Sequence, residues 1–148
     1  MDNTPTPTEA NAWEEDLIAD FRANGGRPSE GPLTGHPLML MYSTGARSGE
    51  RRRSILTYSR DGDDYVVAGT AGGGPKTPAW TANLEADPNV SLEVANETFN
   101  ATGTLAEGPE RDRLWDQHVE QLPWFAAYPS QITNRVIPIV RLTRRPGA

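Results

Sequence analysis

The sequence predicts an α+β domain built on an antiparallel β-sheet able to close into a barrel. Short, largely apolar or alternating stretches recur at residues 38–42, 54–59, 65–70, 90–94, 97–105 and 135–142, each of strand length. Hairpin-length connections join most of them, as at Asp61-Gly62-Asp63-Asp64 and Ala95-Asn96-Glu97. Helical patterns are confined to the beginning, the middle and near the end, which separates helices from strands along the chain.

The elements follow in order. Residues 1–10 are rich in Pro and Thr and predict a disordered tail. Asn11 and Glu14 have capping-box spacing and open a helix in which Trp13, Leu17 and Phe21 share a face, until Gly25-Gly26 stops it. A Gly- and Pro-rich loop over residues 27–37 leads to a buried strand at 38–42, an arginine-rich turn, and a returning strand at 54–59 in which Ile55 and Thr57 alternate against Leu56 and Tyr58. The third strand, residues 65–70, runs into a glycine loop, so both loops are expected to leave the ends of neighbouring strands. Thr77-Pro78 reads as N-cap and first position of a short helix ending before Asp87-Pro88. Residues 90–94 and 97–105 form a hairpin, and 109–122 an amphipathic helix with Leu114, Trp115, His118, Val119 and Leu122 inward. Residues 123–134 read as irregular and aromatic. Residues 135–142 read as the last strand, with Pro138 marking an edge or a bulge.

Composition bounds the function. A chain of 148 residues fits one domain, taken as residues 11–148 after the tail. No run approaches the ~18 apolar residues needed to cross a bilayer, and the N-terminus has neither the basic start nor the apolar core of a signal peptide, so a cytoplasmic protein is expected. Zero cysteines exclude disulfides, thiolate metal sites and Cys nucleophiles, and two histidines, His36 and His118, make a metal site an unattractive reading. A formal charge of −6 with one local basic cluster points to a small anionic ligand and away from nucleic acid, which favours a broad basic face.

That cluster is the stretch Thr44-Gly45-Ala46-Arg47-Ser48-Gly49-Glu50-Arg51-Arg52-Arg53, with four arginines in seven positions. A second stretch, Thr70-Ala71-Gly72-Gly73-Gly74-Pro75-Lys76-Thr77-Pro78-Ala79-Trp80, carries the only lysine of the chain and leads into a helix start. Glycine-freed N–H groups, a helix N-terminus and nearby cations make an anion cradle, so the two loops are expected to meet over one phosphorylated ligand. Gly69 to Gly74 has the glycine spacing of a nucleotide-hydrolase phosphate loop, but Pro75 removes a donor that the cradle needs, and that motif belongs to a parallel sheet. No Gly-x-Ser-x-Gly elbow is present, and the carboxylate pairs fall in a turn and a helix start. Chemistry, if any, belongs to a bound cofactor, and no catalytic side chain is assigned.

Five blocks in order resemble the deazaflavin-dependent nitroreductase family of actinobacterial oxidoreductases. They are Thr44-Gly45-Ala46-Arg47-Ser48-Gly49-Glu50-Arg51-Arg52, Leu56-Thr57-Tyr58-Ser59-Arg60-Asp61-Gly62-Asp63, Lys76-Thr77-Pro78-Ala79-Trp80-Thr81-Ala82-Asn83-Leu84, Asp87-Pro88-Asn89-Val90 and Arg135-Val136-Ile137-Pro138-Ile139-Val140. The resemblance implies a split β-barrel of the FMN-binding type. It also implies an oxidoreductase that uses coenzyme F420, a deazaflavin whose tail carries a phosphate and a glutamate chain. By resemblance, Arg47 and Arg52 take the phosphate and tail, Ser48 and Gly49 add donors, and Arg51 and Arg53 add charge. The ring would lie along Ala68, Gly69, Thr70 and Ala71 and against Ala79, Trp80 and Asn83, with Met41 and Tyr42 below. Thr57, Trp124, Phe125 and Tyr128 would line the pocket of a small-molecule hydride acceptor: a quinone, an enone or a nitroaromatic. Ala46, Ala71 and Thr81 depart from the family pattern, and the aromatics before the last strand sit in a shifted register. The alternatives are an FMN-dependent relative of the same barrel and a non-catalytic carrier of cofactor or lipophile. A monomer or homodimer with at most peripheral membrane contact completes the expectation.

Overall fold

The structure, a computed structural model, describes residues 9–31, 33–70, 74 and 76–145, with side chains from residue 14 onward. The expected tail falls largely on residues 1–8, outside the described residues, and helix α1 spans Glu9–Ala23. Seven strands stand where six were expected, because the expected strand 54–59 is divided at Tyr58 and the last begins at Ile139 rather than Arg135: β1 Leu38–Thr44, β2 Arg51–Thr57, β3 Ser59–Asp61, β4 Asp64–Ala68, β5 Asn89–Val94, β6 Glu97–Leu105 and β7 Ile139–Arg144. Helix α2 (Ala79–Ala86) precedes β5, and α3 (Gly108–Gln121), a 3-10 turn (Pro123–Ala127) and α4 (Tyr128–Gln131) lie between β6 and β7. The last two give form to a stretch whose sequence carries no periodic signal.

All strand pairs are antiparallel, in the order β2-β1-β5-β6-β7-β4-β3. The two edges of this sheet, β2 and β3, are consecutive in the chain and separated only by Tyr58. One bent strand therefore pairs with β1 through its first half and with β4 through its second, and closes the sheet into a split β-barrel. Pairing of β3 with β4 ends at Ser59↔Val66, so Val67 and Ala68 pair with β7 alone and leave an open seam beside β2. The two loops do not leave hydrogen-bonded neighbours. β1 and β4 run in the same direction on either side of the bent strand and deliver the arginine turn and the glycine loop to the same end of the barrel.

Alternation assigns the faces. Met39, Met41, Tyr65, Val67, Leu92, Val140 and Leu142 fill the interior together with Trp80 and Leu84 of α2. The opposite face of β1 and β2, through Leu38, Leu40, Tyr42 and Ile55, packs under Ile18 and Phe21 of α1. Each of those two helix residues contributes roughly 1.5–3 kcal/mol when fully buried. Helix α1 is tied further by Arg22, whose guanidinium makes two hydrogen bonds to Glu93. The outer face of β4 and β7, through Val66, Ala68 and Ile139, packs under Leu114 and Leu122 at α3 and under Phe125.

Two details of the expected elements are corrected. Pro78, not Thr77, is the cap of α2, and the Thr81 hydroxyl donates to the Pro78 carbonyl at 2.7 Å to close the first turn. The last strand is central, between β6 and β4, and neither an edge nor bulged at its proline. Pro138 stands just outside it, where only its carbonyl is used, accepting from Gly69 N at 2.8 Å.

Candidate functional site

The arginine turn is a closed local structure. Gly45 N donates to Glu50 O at 2.7 Å and Gly49 N to Gly45 O at 3.0 Å. Gly49 has φ of 72°, a left-handed conformation that glycine adopts without strain. Its N–H is spent inside the turn, so its part is to shape the backbone. Ser48 Oγ accepts from Glu50 N at 3.1 Å and lies 3.5 Å from an Arg52 guanidinium nitrogen. Ala46 N donates to Asn83 Oδ1 at 2.9 Å, which fastens the turn to α2, one helical turn beyond Trp80.

Strand alternation then separates the arginines. Arg52 pairs with Ser43 and shares the interior face with Met41, while Arg51 and Arg53 point to the α1 side. Arg53 is matched there by Glu15 at 3.0 Å and Glu14 at 3.6 Å. Arg51 reaches Thr44 Oγ1 at 3.1 Å and Ser91 Oγ at 3.3 Å. Arg47 is exposed on the turn. Ser43 is fully buried, and its hydroxyl has no hydrogen-bond partner among the described residues. A buried hydroxyl in register with an arginine, beside a turn closed by glycines, suits a phosphate-bearing ligand better than an apolar one.

At the other loop, Gly69 is fixed by close approach. A Cβ there would lie 2.9 Å from Pro138 Cγ and 3.2 Å from Thr81 Cγ2. Arg135 reaches across from the segment before β7 and donates to Gly69 O at 2.9 Å, Thr70 O at 3.0 Å and Gly74 O at 3.1 Å. Ala71 lies outside the described residues, as do Gly72, Gly73 and Pro75. Lys76 and Ala79 are exposed, and Trp80 and Asn83 are buried.

The nominated residues fall into three groups. Met41, Arg52, Trp80 and Asn83 gather at the interior and its mouth, with Arg47, Ser48 and Gly49 on the adjoining turn and Gly69 and Thr70 at the glycine loop. Tyr42 and Thr57 face the α1 side, since Thr57 pairs with Leu38. Trp124, Phe125 and Tyr128 pack on the α3 side with Ala68; Phe125 and Tyr128 are 5.2 Å apart between ring centroids, and His36 tilts against Trp124 at 4.3 Å.

A cavity of about 440 Å³ opens on that side, lined by Arg111, Trp115, Ile132, Arg135, Val136 and Ile137 among others. None of these was nominated from sequence. Arg135 had one signal, its place in the fifth matched block; Arg111 had none beyond helical spacing to Trp115. Next to the cavity wall, His118 is fully buried, its Nδ1 is 2.7 Å from Ser59 Oγ, and its Nε2 has no partner among the described residues. Burial lowers its pKa to about 4, so it is neutral at physiological pH. Among the described residues no cluster of His, Asp and Glu could hold a metal ion, and no helix is long and apolar enough to cross a membrane.

Comparison with known proteins places this geometry. The family model described as F420H(2)-dependent quinone reductase matches residues 15–144. An F420H(2)-dependent quinone reductase of Mycobacterium tuberculosis is 35% identical over 130 residues, covering 86% of this chain and 87% of the relative. The solved F420-H2 dependent reductase FDR-A superposes with a TM-score of 0.65 at 34% identity, covering 72% of this chain and 93% of that one. A second solved structure, described as a domain-swapped dimer, has a TM-score of 0.67 at 28% identity over 93% of this chain and 99% of its own. Matches that run through nearly every described element, and not only through the two loops, make the chain a member of the F420H(2)-dependent quinone reductase family and its cofactor coenzyme F420.

Proposed function

We propose that this reductase delivers the hydride to a quinone, with the coenzyme's tail held at the arginine turn and its ring lying between Trp80 and the glycine loop. The observation that carries the placement is the Ala46–Asn83 hydrogen bond, which makes the arginine turn and the Trp80 helix one unit at the barrel mouth. The quinone follows from the activity for which the matched family and the mycobacterial relative are described.

The bound, reduced coenzyme supplies a hydride from its deazaflavin ring. The protein's work is binding and exclusion. Arg47 and Arg52 would neutralise the phosphate and the glutamate tail, with Arg52 drawn onto the interior side by strand alternation. Ser43 would offer its hydroxyl at the same place. Trp80, held in the core, presents a rigid wall, and the apolar interior behind it keeps water from the ring. A quinone that takes the hydride needs one proton to become the quinol, and water at the open seam can provide it, so no acid–base side chain is required.

Titrating the purified chain with the coenzyme while following its fluorescence, then adding a soluble naphthoquinone, tests this. Saturable binding at micromolar concentration and oxidation of the reduced coenzyme on adding the quinone are expected. Arg52→Gln should weaken coenzyme binding about tenfold or more, the value of a lost charge-assisted hydrogen bond. Binding of FMN in place of the deazaflavin would overturn the placement, and tight binding without turnover on quinones would make the chain a carrier.

A further inference from the structure

We propose that the cavity between α3 and the segment before β7 is a second ligand site, shaped for a small aromatic carboxylate that is neither the coenzyme nor the quinone. Arg111 anchors the carboxylate, Arg135 adds positive charge, and an apolar wall takes the ring.

Position separates this site from the barrel mouth. Trp115, Ile132 and Ile137 of its wall belong to the cluster on the α3 side, together with Val66, Ala68 and Ile139. Val67 and Val140, the chain neighbours of those strand residues, turn instead to the interior with Met41 and Trp80. The sheet of β4 and β7 thus has the cavity's wall on one face and the proposed seat of the coenzyme's ring on the other. The cavity measures about 440 Å³, within the range of about 300–1,000 Å³ usual for small-molecule sites.

Its walls combine two chemistries. Trp115, Ile132 and Ile137 are apolar, and Val136, 76% exposed, is the one large apolar side chain left open to solvent among the described residues. Arg111 and Arg135 bring two half-buried guanidinium groups to the same space, each held by backbone carbonyls. Arg111 donates to Ile137 O at 2.8 Å, and Arg135 donates to Gly69 O at 2.9 Å and Thr70 O at 3.0 Å. Both cations are therefore placed before a ligand arrives, which lowers the ordering cost of binding. The Arg111 guanidinium also lies 5.5 Å from the centre of the Trp115 ring, so charge and aromatic wall adjoin.

The charge is unbalanced. Arg113 on the same helix and Arg141 of β7 both reach Asp61, and Arg141 reaches Asp64 as well. Among the described residues the only carboxylate lining the cavity is Asp112, which is 75% exposed and 3.5 Å from Arg111 Nη1. An ion pair so solvated and so long is worth little, and it leaves that nitrogen able to serve a better acceptor. Two cations beside one solvated anion favour an anionic ligand, and the apolar walls select one with a flat hydrocarbon body. The coenzyme's own charged tail is assigned to the arginine turn, so the occupant is a second molecule.

Calorimetric titration of the full chain, loaded with coenzyme, with 2-naphthoate tests the site, and 2-naphthamide is the uncharged control. Saturable one-to-one binding with a submillimolar Kd is expected, with the amide about tenfold weaker or more. Arg111→Gln should weaken naphthoate by about tenfold or more, the value of a lost charge-assisted hydrogen bond, while the coenzyme Kd and the naphthoquinone KM stay within about twofold. Because Arg111 also ties α3 to Ile137, Val136→Glu supplies a second variant at an exposed position where folding is not at stake. Its carboxylate at the rim should weaken naphthoate about fivefold and leave naphthamide within about twofold. If Arg111→Gln does not fold, Val136→Glu alone decides. Equal affinity for acid and amide, no saturation up to about 10 mM, or unaltered naphthoate binding in a folded variant overturns the site. Displacement of naphthoate by excess coenzyme or by the naphthoquinone also overturns it, by moving the ligand to the barrel mouth. Failure of the coenzyme itself to bind overturns the functional reading alone, since titration of the coenzyme-free chain carries the same expectations for naphthoate.

Discussion

Ser43 is a single side chain at which the proposed coenzyme placement can be measured. Its hydroxyl is buried, unpartnered among the described residues, and in register with Arg52. Leaving such a group unsatisfied costs roughly 1–3 kcal/mol, so its removal from the free protein is cheap, whereas a ligand that accepts from it gains about 1 kcal/mol. Ser43→Ala should therefore raise the melting temperature of the free protein by a few degrees and weaken coenzyme binding about threefold to tenfold. Differential scanning fluorimetry paired with fluorescence titration reads both, and an unchanged affinity would show that the hydroxyl meets no ligand. At this scale the sequence was legible in kind but not in direction. Four arginines in seven positions predict an anion site, yet a strand read as starting at Ser54 conceals that Arg51, Arg52 and Arg53 already alternate on β2. Starting the strand three residues earlier is what sends Arg53 to the α1 carboxylates and leaves Arg52 for the interior.

At the scale of elements, α3 is docked on β3 and β4 by groups that titrate. Arg60 N donates to Gln121 Oε1 and the Arg60 carbonyl accepts from Gln117 and Gln121, so the bent strand's second half is held along its backbone. Asp61 is held at a pKa of about 2, first by its hydrogen bond from Arg113 and then by Arg141, which also binds Asp64 at 2.7 Å and Glu110 at 2.5 Å. His118 is lowered to about 4 by burial. Both shifts are depressions, so the unfolded chain binds the proton first as acidity rises. Stability is fully present above about pH 6.5, falls as His118 is titrated toward pH 4, and falls again as Asp61 is protonated below that. Between pH 7 and pH 5 the His118 contribution alone is on the order of 2 kcal/mol. Urea midpoints should drop accordingly, and His118→Gln should flatten the slope across that interval; an identical slope in the variant would relocate the effect. The inward face of α3 was legible because Leu114, His118 and Leu122 recur every four residues. The central position of β7 was not, since both its partners are distant in sequence and its leading proline imitates an edge.

For the whole molecule, the decisive property is that the barrel is closed by one strand shared between β1 and β4. Strands β5, β6 and β7 are paired on both sides, whereas β2 presents one side to the seam. Amide hydrogen exchange should accordingly give the strongest protection in β5–β7 and the weakest among the β2 amides facing the seam, with saturating coenzyme slowing the latter. Uniform protection around the barrel would contradict the open seam. The number and class of strands could be read from alternation and turn residues, but closure could not, because a kink at one tyrosine leaves no compositional trace. Had the β3–β4 register continued, Tyr58 would face Val67 and Thr57 would face Ala68, and the zipper would run on to the rim. The corner at Tyr58 stops it two pairs short. The gap at the barrel's rim is thus made by where one strand changes direction, and straightening that corner would close it without touching a single residue to which the proposed placement assigns the coenzyme.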